Sequence, residues 1–223
     1  MYIRPLAPRD VSALSALLAT TFDNDPVYVL LFPEPASRRA GLTDFFARNL
    51  RVHLPYRCTH VAIGESGDPV ATVTVRPPEG FHISLLRLAR HLLPFALRRG
   101  PSAARRVLWV KKTYEAMENE TARRQAHAYV HMMAVTPSLH GRGIGRELLT
   151  RVLTRVRDAS PSAPTVLSTH SAKNVVFYQR HGFEVDFERT VSPPRGQSYP
   201  VWSMRLAPAR EAPHFASAKS NEA

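Results

Sequence analysis

Cysteine is almost missing from this chain of 223 residues, with Cys58 the only one. That excludes an internal disulfide and a metal site built from several cysteines, and a lone thiol suits a reducing compartment. Long apolar runs are missing too. No stretch reaches the roughly 18–20 uncharged residues that cross a bilayer, and the start, Tyr2 to Asp10, has no apolar signal-peptide core. The expectation is a cytoplasmic protein with no membrane partner and no metal. Acids are scarce as well: 18 Asp and Glu stand against 30 Lys and Arg, a formal net charge of +12.

The surplus is concentrated. Between Arg87 and Arg124 there are ten basic residues against three acids, Glu115, Glu118 and Glu120. Such a stretch suits nucleic acid, an anionic surface or an acidic partner, but arginine usage throughout the chain favours a solvated helical face. Nucleic acid is therefore not the expected partner. The 44% of hydrophobic residues is ordinary for a globular chain, and the length suits one packed domain with an insertion. A monomer or a homodimer is expected.

Residues 2–6 suit a short edge strand, and a helix follows from Pro8 through Phe22 with Val11, Leu14, Leu17 and Leu18 inward. Asp23 to Pro26 breaks it. A second helix is expected from Ser37 to Leu54, then a hairpin of 59–64 and 69–75 around Glu65–Asp68. Two helical stretches, 82–98 and 102–124, are separated by Gly100-Pro101 and form an insertion over about 81–125. Strand 127–136, helix 143–158, strand 164–169, helix 172–181 and strands 183–190 and 199–206 complete a mixed α/β (α+β) domain over 1–207. The proline-, alanine- and serine-rich tail, 208–223, is expected to be disordered.

Between strand 127–136 and helix 143–158 lies His140-Gly141-Arg142-Gly143-Ile144-Gly145. Ile144, Leu148, Leu149, Val152, Leu153 and Val156 then fall on one helical face. A glycine turn entering a helix presents free N–H groups at the positive end of the dipole, which suits phosphate. The turn lacks the spacing of a dinucleotide fingerprint and the lysine and hydroxyl of a Walker loop. Some thirty residues on, Asn174, Phe177, Tyr178, Gly182 and Phe183 make a second pattern.

In this order and spacing, Met133-Ala134-Val135, the turn from His140 to Gly145, and the Asn-x-x-Phe-Tyr-x-x-x-Gly-Phe run resemble the GNAT superfamily of N-acetyltransferases. The resemblance is strong over 127–190 and looser elsewhere. It implies a single domain with a mixed, mostly antiparallel central sheet flanked by helices. It also implies acetyl-coenzyme A as co-substrate. By the same resemblance, the Met133 amide polarises the thioester, Val135 pairs with the pantetheine arm, and residues Gly141, Arg142, Gly143, Ile144, Gly145 and Arg146 hold the pyrophosphate. Asn174 supports the pantetheine, and Tyr178 is the general acid. His140 replaces the usual glutamine or arginine. In the serotonin N-acetyltransferase branch a histidine occupies the position of His131, which makes His131 the expected base or the end of a water relay.

The chemistry sets its own demands. Amide formation needs a free-base amine, a polarised carbonyl and a proton for the leaving thiolate, and an imidazole titrates in the useful range. As strand residues, His127, Tyr129, His131, Met133 and Val135 would share one face. Further features resemble puromycin N-acetyltransferase-like enzymes of small amines: Phe22 to Pro26 after the first helix, the arginine-rich insertion, and Trp202-Ser203-Met204 in the last strand. Ser168 stands where those enzymes carry a glutamate. Phe22, Asp25, His127, Tyr129 and Ser168 are the candidate acceptor-binding residues. Acetylation of a small amine, an antibiotic or a metabolite, is the leading expectation. Acetylation of a protein or peptide is an alternative, as is a non-catalytic protein that binds coenzyme A or nucleic acid.

Overall fold

The computed structural model describes residues 1–79 and 83–209. Seven strands carry the fold: β1 (Tyr2–Pro5), β2 (Thr59–Ile63), β3 (Pro69–Arg76), β4 (Ala128–Val135), β5 (Thr165–Thr169), β6 (Glu184–Val191) and β7 (Tyr199–Leu206). They form one sheet in the order β1-β2-β3-β4-β5-β7-β6. Every pairing is antiparallel except β4 with β5. The helices are α1 (Val11–Thr21), α2 (Pro26–Leu31), α3 (Pro35–His53), α4 (Leu85–Thr121), α5 (Ile144–Ala159) and α6 (Ala172–Gln179). This is the mixed, mostly antiparallel architecture with a helical insertion that the sequence implied.

The core lies in two layers, one on each face of the sheet. On one face α1, α2 and α3, with Met117 of α4, bury Leu14, Leu18, Leu42, Phe46 and Leu50 against Met132 and Ala134. On the other, α5 buries Leu148, Leu149, Val152 and Leu153 against Ala71, Val73, Val130 and Leu167. No helix among the described residues is long and apolar enough to cross a membrane.

Two details differ from expectation. Pro26 was read as a breaker, yet it opens α2: the Asp25 carboxylate accepts a hydrogen bond from the Val27 amide at 3.0 Å, and proline suits a first helical position. The insertion is helical on either side of Gly100, where φ 78° and ψ 171° leave the helical region just before Pro101, the break expected at Gly100-Pro101. Gly80, Phe81 and His82, at the insertion's start, and 210–223 of the expected disordered tail, lie outside the described residues.

The second difference is on β4. Thr74 pairs with Met132 and Val75 with Val130, so His131 is an extra residue opposite nothing. Such a bulge reverses the alternation beyond it. Met133 and Val135 therefore pack on the α5 side, while His131 stays with Tyr129 on the other. The expected common face of His127, Tyr129, His131, Met133 and Val135 does not exist.

Candidate active site

β4 and β5 are paired only at Ala128–Thr165 and Tyr129–Val166. Beyond the bulge the β5-facing edge of β4 has no partner strand among the described residues, and the sheet splits. The Thr136 amide donates to Val70 O at 2.9 Å, which sets the hydrogen-bonding phase of the β3–β4 ladder. With that phase Met132 and Ala134 turn their backbone groups to β3, and Met133 and Val135 turn theirs into the split.

The glycine turn lies at the open end of this edge. Gly141 and Gly143 both have φ 79°, a left-handed conformation costly for residues with a Cβ. From Gly141 to Arg146 no backbone amide donates to an acceptor among the described residues, and the first such bond of α5 runs from Glu147 to Gly143 O at 2.9 Å. Six successive amides are thus free at a helix N-terminus, flanked by the exposed Arg142 and Arg146. Gly145 explains how close the turn comes to the strand. A Cβ there would lie 3.2 Å from Met133 Cε and from Val135 Cγ2. His140 does not point at the turn: its Nε2 donates to Val135 O at 3.0 Å, closing the strand end.

α6 borders the split from the β5 side. Tyr178 is half-buried, its ring edge-on to Phe183 and Phe177 at 5.7 and 5.2 Å. Burial, with a smaller push from Tyr129, raises its phenol far above the usual range, so it remains a proton donor. Asn174 is exposed and donates to Thr169 Oγ1 at 3.2 Å, tying the start of α6 to the end of β5.

On the opposite face His131 stacks on His53 with ring centroids 5.3 Å apart. Burial, then His53 and Arg76, hold His131 well below the usual imidazole range, and burial brings His53 down to about 4. Tyr129 lies under the Arg76 guanidinium at 4.6 Å, and burial pushes its phenol up to about 12. The Ser168 hydroxyl is buried on β5. Phe22 ends α1 and packs on Tyr28 and Phe46 at 5.1 and 5.6 Å.

Two expected acceptor residues have their polar atoms occupied. His127 precedes β4; its Nε2 pairs with Glu118 at 2.9 Å and its Nδ1 with Gln125 O at 2.8 Å. Glu118 raises its pKa, partly against burial, and also holds Arg76 at 2.5 Å. Asp25, besides capping α2, places Oδ2 2.9 Å from His170 Nδ1. His170 Nε2 lies in turn 2.6 Å from the Tyr114 hydroxyl of α4, and Tyr199 of β7 is 3.4 Å further. Sequence reading missed His170, Tyr114 and Tyr199: the partners are 145, 56 and 85 positions apart, and no local spacing marks them.

A split sheet with an unpaired β4 edge and an anion-ready turn at its mouth sets the class: an α/β protein with a mixed, mostly antiparallel sheet. Residues 104–185, a little over a third of the chain, match the acetyltransferase (GNAT) domain family. The polyamine N-acetyltransferase of Drosophila melanogaster, which forms N-acetylagmatine, superposes with a TM-score of 0.61 at 19% identity, covering 92% of this chain and 99% of that one. A Corynebacterium glutamicum protein described as histone acetyltransferase HPA2 and related acetyltransferase gives 0.61 at 22% identity, covering 93% and 96%. Phosphinothricin acetyltransferase from Sinorhizobium meliloti, solved with acetyl-coenzyme A, gives 0.56 at 12% identity, covering 98% and 95%. At these identities the likeness is one of fold. No curated protein sequence matches significantly.

Proposed function

We propose that the protein transfers an acetyl group from acetyl-coenzyme A to the primary amine of a small molecule, by direct attack in a ternary complex. The observation that carries this reading is the run of six free amides from Gly141 to Arg146 beside the unpaired edge of β4. Amides at a helix N-terminus suit a pyrophosphate, and a bare strand edge suits an extended amide-bearing arm. The residues present therefore fit the group. Bound there, acetyl-coenzyme A supplies an activated thioester.

The chain's own residues do the rest. Gly141, Gly143 and Ile144 offer amides to phosphate oxygens, and Arg142 and Arg146 add charge. The Met133 amide, turned into the split, stabilises developing charge on a carbonyl oxygen. Val135 keeps its amide for the pantetheine, its carbonyl being held by His140. Tyr178, kept protonated, gives a proton to the departing thiolate. Asn174 acts at one remove, by fixing α6 to β5. Tyr129, Ser168 and the neutral His131 line the acceptor side.

Direct attack is favoured because no thiol is placed to carry the acetyl group. Cys58 is buried, and burial pushes its thiol up to about 11. The experiment is incubation of the full chain with acetyl-coenzyme A and a panel of small amines, with mass spectrometry of the amines. An acetylated amine is expected. Hydrolysis alone, or no product from any amine despite tight donor binding, overturns the reading.

A further inference from the structure

We infer that the proton lost by the acceptor amine passes to the Tyr114 hydroxyl and from Tyr114 to Nε2 of His170, with Asp25 holding the far side of the imidazole. This rests on the proposed acetyl transfer and names the group that drives it.

The geometry defines a directed chain. Asp25 Oδ1 is fixed by the Val27 amide at 3.0 Å, which leaves Oδ2 for His170 Nδ1 at 2.9 Å. A carboxylate only accepts, so Nδ1 carries a hydrogen, and in the neutral imidazole Nε2 presents its lone pair. The one Tyr114 hydrogen has two acceptors in reach, Nε2 at 2.6 Å and the Tyr199 hydroxyl at 3.4 Å, and given to the nearer it makes Tyr114 the donor to His170. The arrangement places a carboxylate behind an imidazole and a hydroxyl before it, the logic of an activated hydroxyl on any fold. Here a phenol takes the place of the nucleophile. Burial holds Tyr114 protonated, so it works as a relay, accepting one proton as it gives up another.

The groups facing His170 are Asp25 from α2, Tyr114 from α4 and Tyr199 from β7. The relay lies at the end of the strand that borders the split: β5 pairs with β4 only at Ala128–Thr165 and Tyr129–Val166 and ends at Thr169. His170 itself directly follows β5, two residues past Ser168. His131 is the weaker acceptor. It is flanked by His53 and Arg76, and among the described residues no carboxylate pairs with it.

The step balances. As the amine nitrogen bonds to the acetyl carbon, its N–H bond breaks and that proton joins the Tyr114 oxygen. The Tyr114 proton moves to His170, and Asp25 stabilises the imidazolium. His170 later releases the proton to water, while Tyr178, having protonated the thiolate, regains one. Asp25 and His170 are positioning residues for Tyr114 in this scheme.

The test is the pH profile of kcat/KM for the wild type, Tyr114→Phe, His170→Gln and His131→Gln, with donor affinity measured alongside. Tyr114→Phe and His170→Gln should lose the acidic limb and about 10²–10⁴-fold in rate at unchanged donor affinity. His131→Gln should lower the rate and keep the limb. Imidazole 15N shifts of the ligand-free protein should show His170 protonated at Nδ1 and bare at Nε2. A limb that survives His170→Gln, or vanishes only with His131→Gln, overturns the relay and leaves acetyl transfer standing; so does the opposite His170 tautomer. A wild type that acetylates no amine overturns both.

Discussion

Gly143→Ala isolates what the glycine turn contributes. Gly143 has φ 79°, and a Cβ built on it meets no atom within 4 Å. The substitution therefore adds no clash, and its whole cost is the left-handed backbone, about 1–2 kcal/mol for a residue with a Cβ. Gly143 is exposed, so the free turn can relax towards a right-handed conformation and swing its amides out of line. Ligand binding must then restore the strained geometry, and affinity for acetyl-coenzyme A should fall by a factor of about 5–30. Gly67 provides the control. It sits in the β2–β3 hairpin with φ 85° and likewise no atom within 4 Å. Gly67→Ala carries the same backbone cost, seen as a melting temperature lower by about 2–8 °C in a domain of this size, with donor affinity unchanged. Calorimetric titration and thermal unfolding of both variants separate the cases. Wild-type affinity in Gly143→Ala, or equal weakening in Gly67→Ala, would refute the assignment of the turn to the donor.

Tyr178→Phe should cut kcat by about 10²–10⁴-fold with donor affinity unchanged, and rapid-quench kinetics check whether chemistry rather than release has slowed; an unaffected chemical step removes Tyr178 as the acid. Gly145→Val forces bulk against Met133 and Val135 and should push α5 off the β4 edge, lowering both melting temperature and donor affinity; affinity lost without stability would contradict the packing role. His127 has its pKa raised by Glu118, so its pairing stabilises the fold fully below about pH 6.5 and is lost as pH rises through the raised value. His53, His60 and His131 are shifted the other way and act on the acid side. Melting temperature between pH 6 and 8 should therefore fall more steeply in the wild type than in Glu118→Gln, and parallel slopes would contradict this.

The central third of the site was legible because its signals are local. Glycines before an apolar helical stripe mark the turn at 141–145, and the spacing of Asn174, Phe177 and Tyr178 marks one face of α6. What escaped was set by partners. The bulge at His131 exists only relative to β3, and nothing in His-Met-Met-Ala announces which residue will be extra. One inserted position moved Met133 and Val135 to the far face while leaving their backbone groups in the split. Pro26 breaks one helix and begins another, two readings that differ only in whether Asp25 caps it. Asp25 before α2, Tyr114 on α4, His170 after β5 and Tyr199 on β7 come from four separate parts of the chain, so only the folded chain brings them together. Part of the basic insertion also found local employment: Arg106 reaches Leu31 O at 3.2 Å, and Lys111 pairs with Glu115 at 2.9 Å.

The split between β4 and β5 is the proposed donor site. Amide NMR spectra of the full chain during titration with acetyl-coenzyme A test this most directly. The largest shifts should fall on Gly141 to Arg146, with Met133 and Val135 following, and Gly67 should not move. Shifts centred on the basic helix α4, or none at the turn at saturating donor, would contradict it.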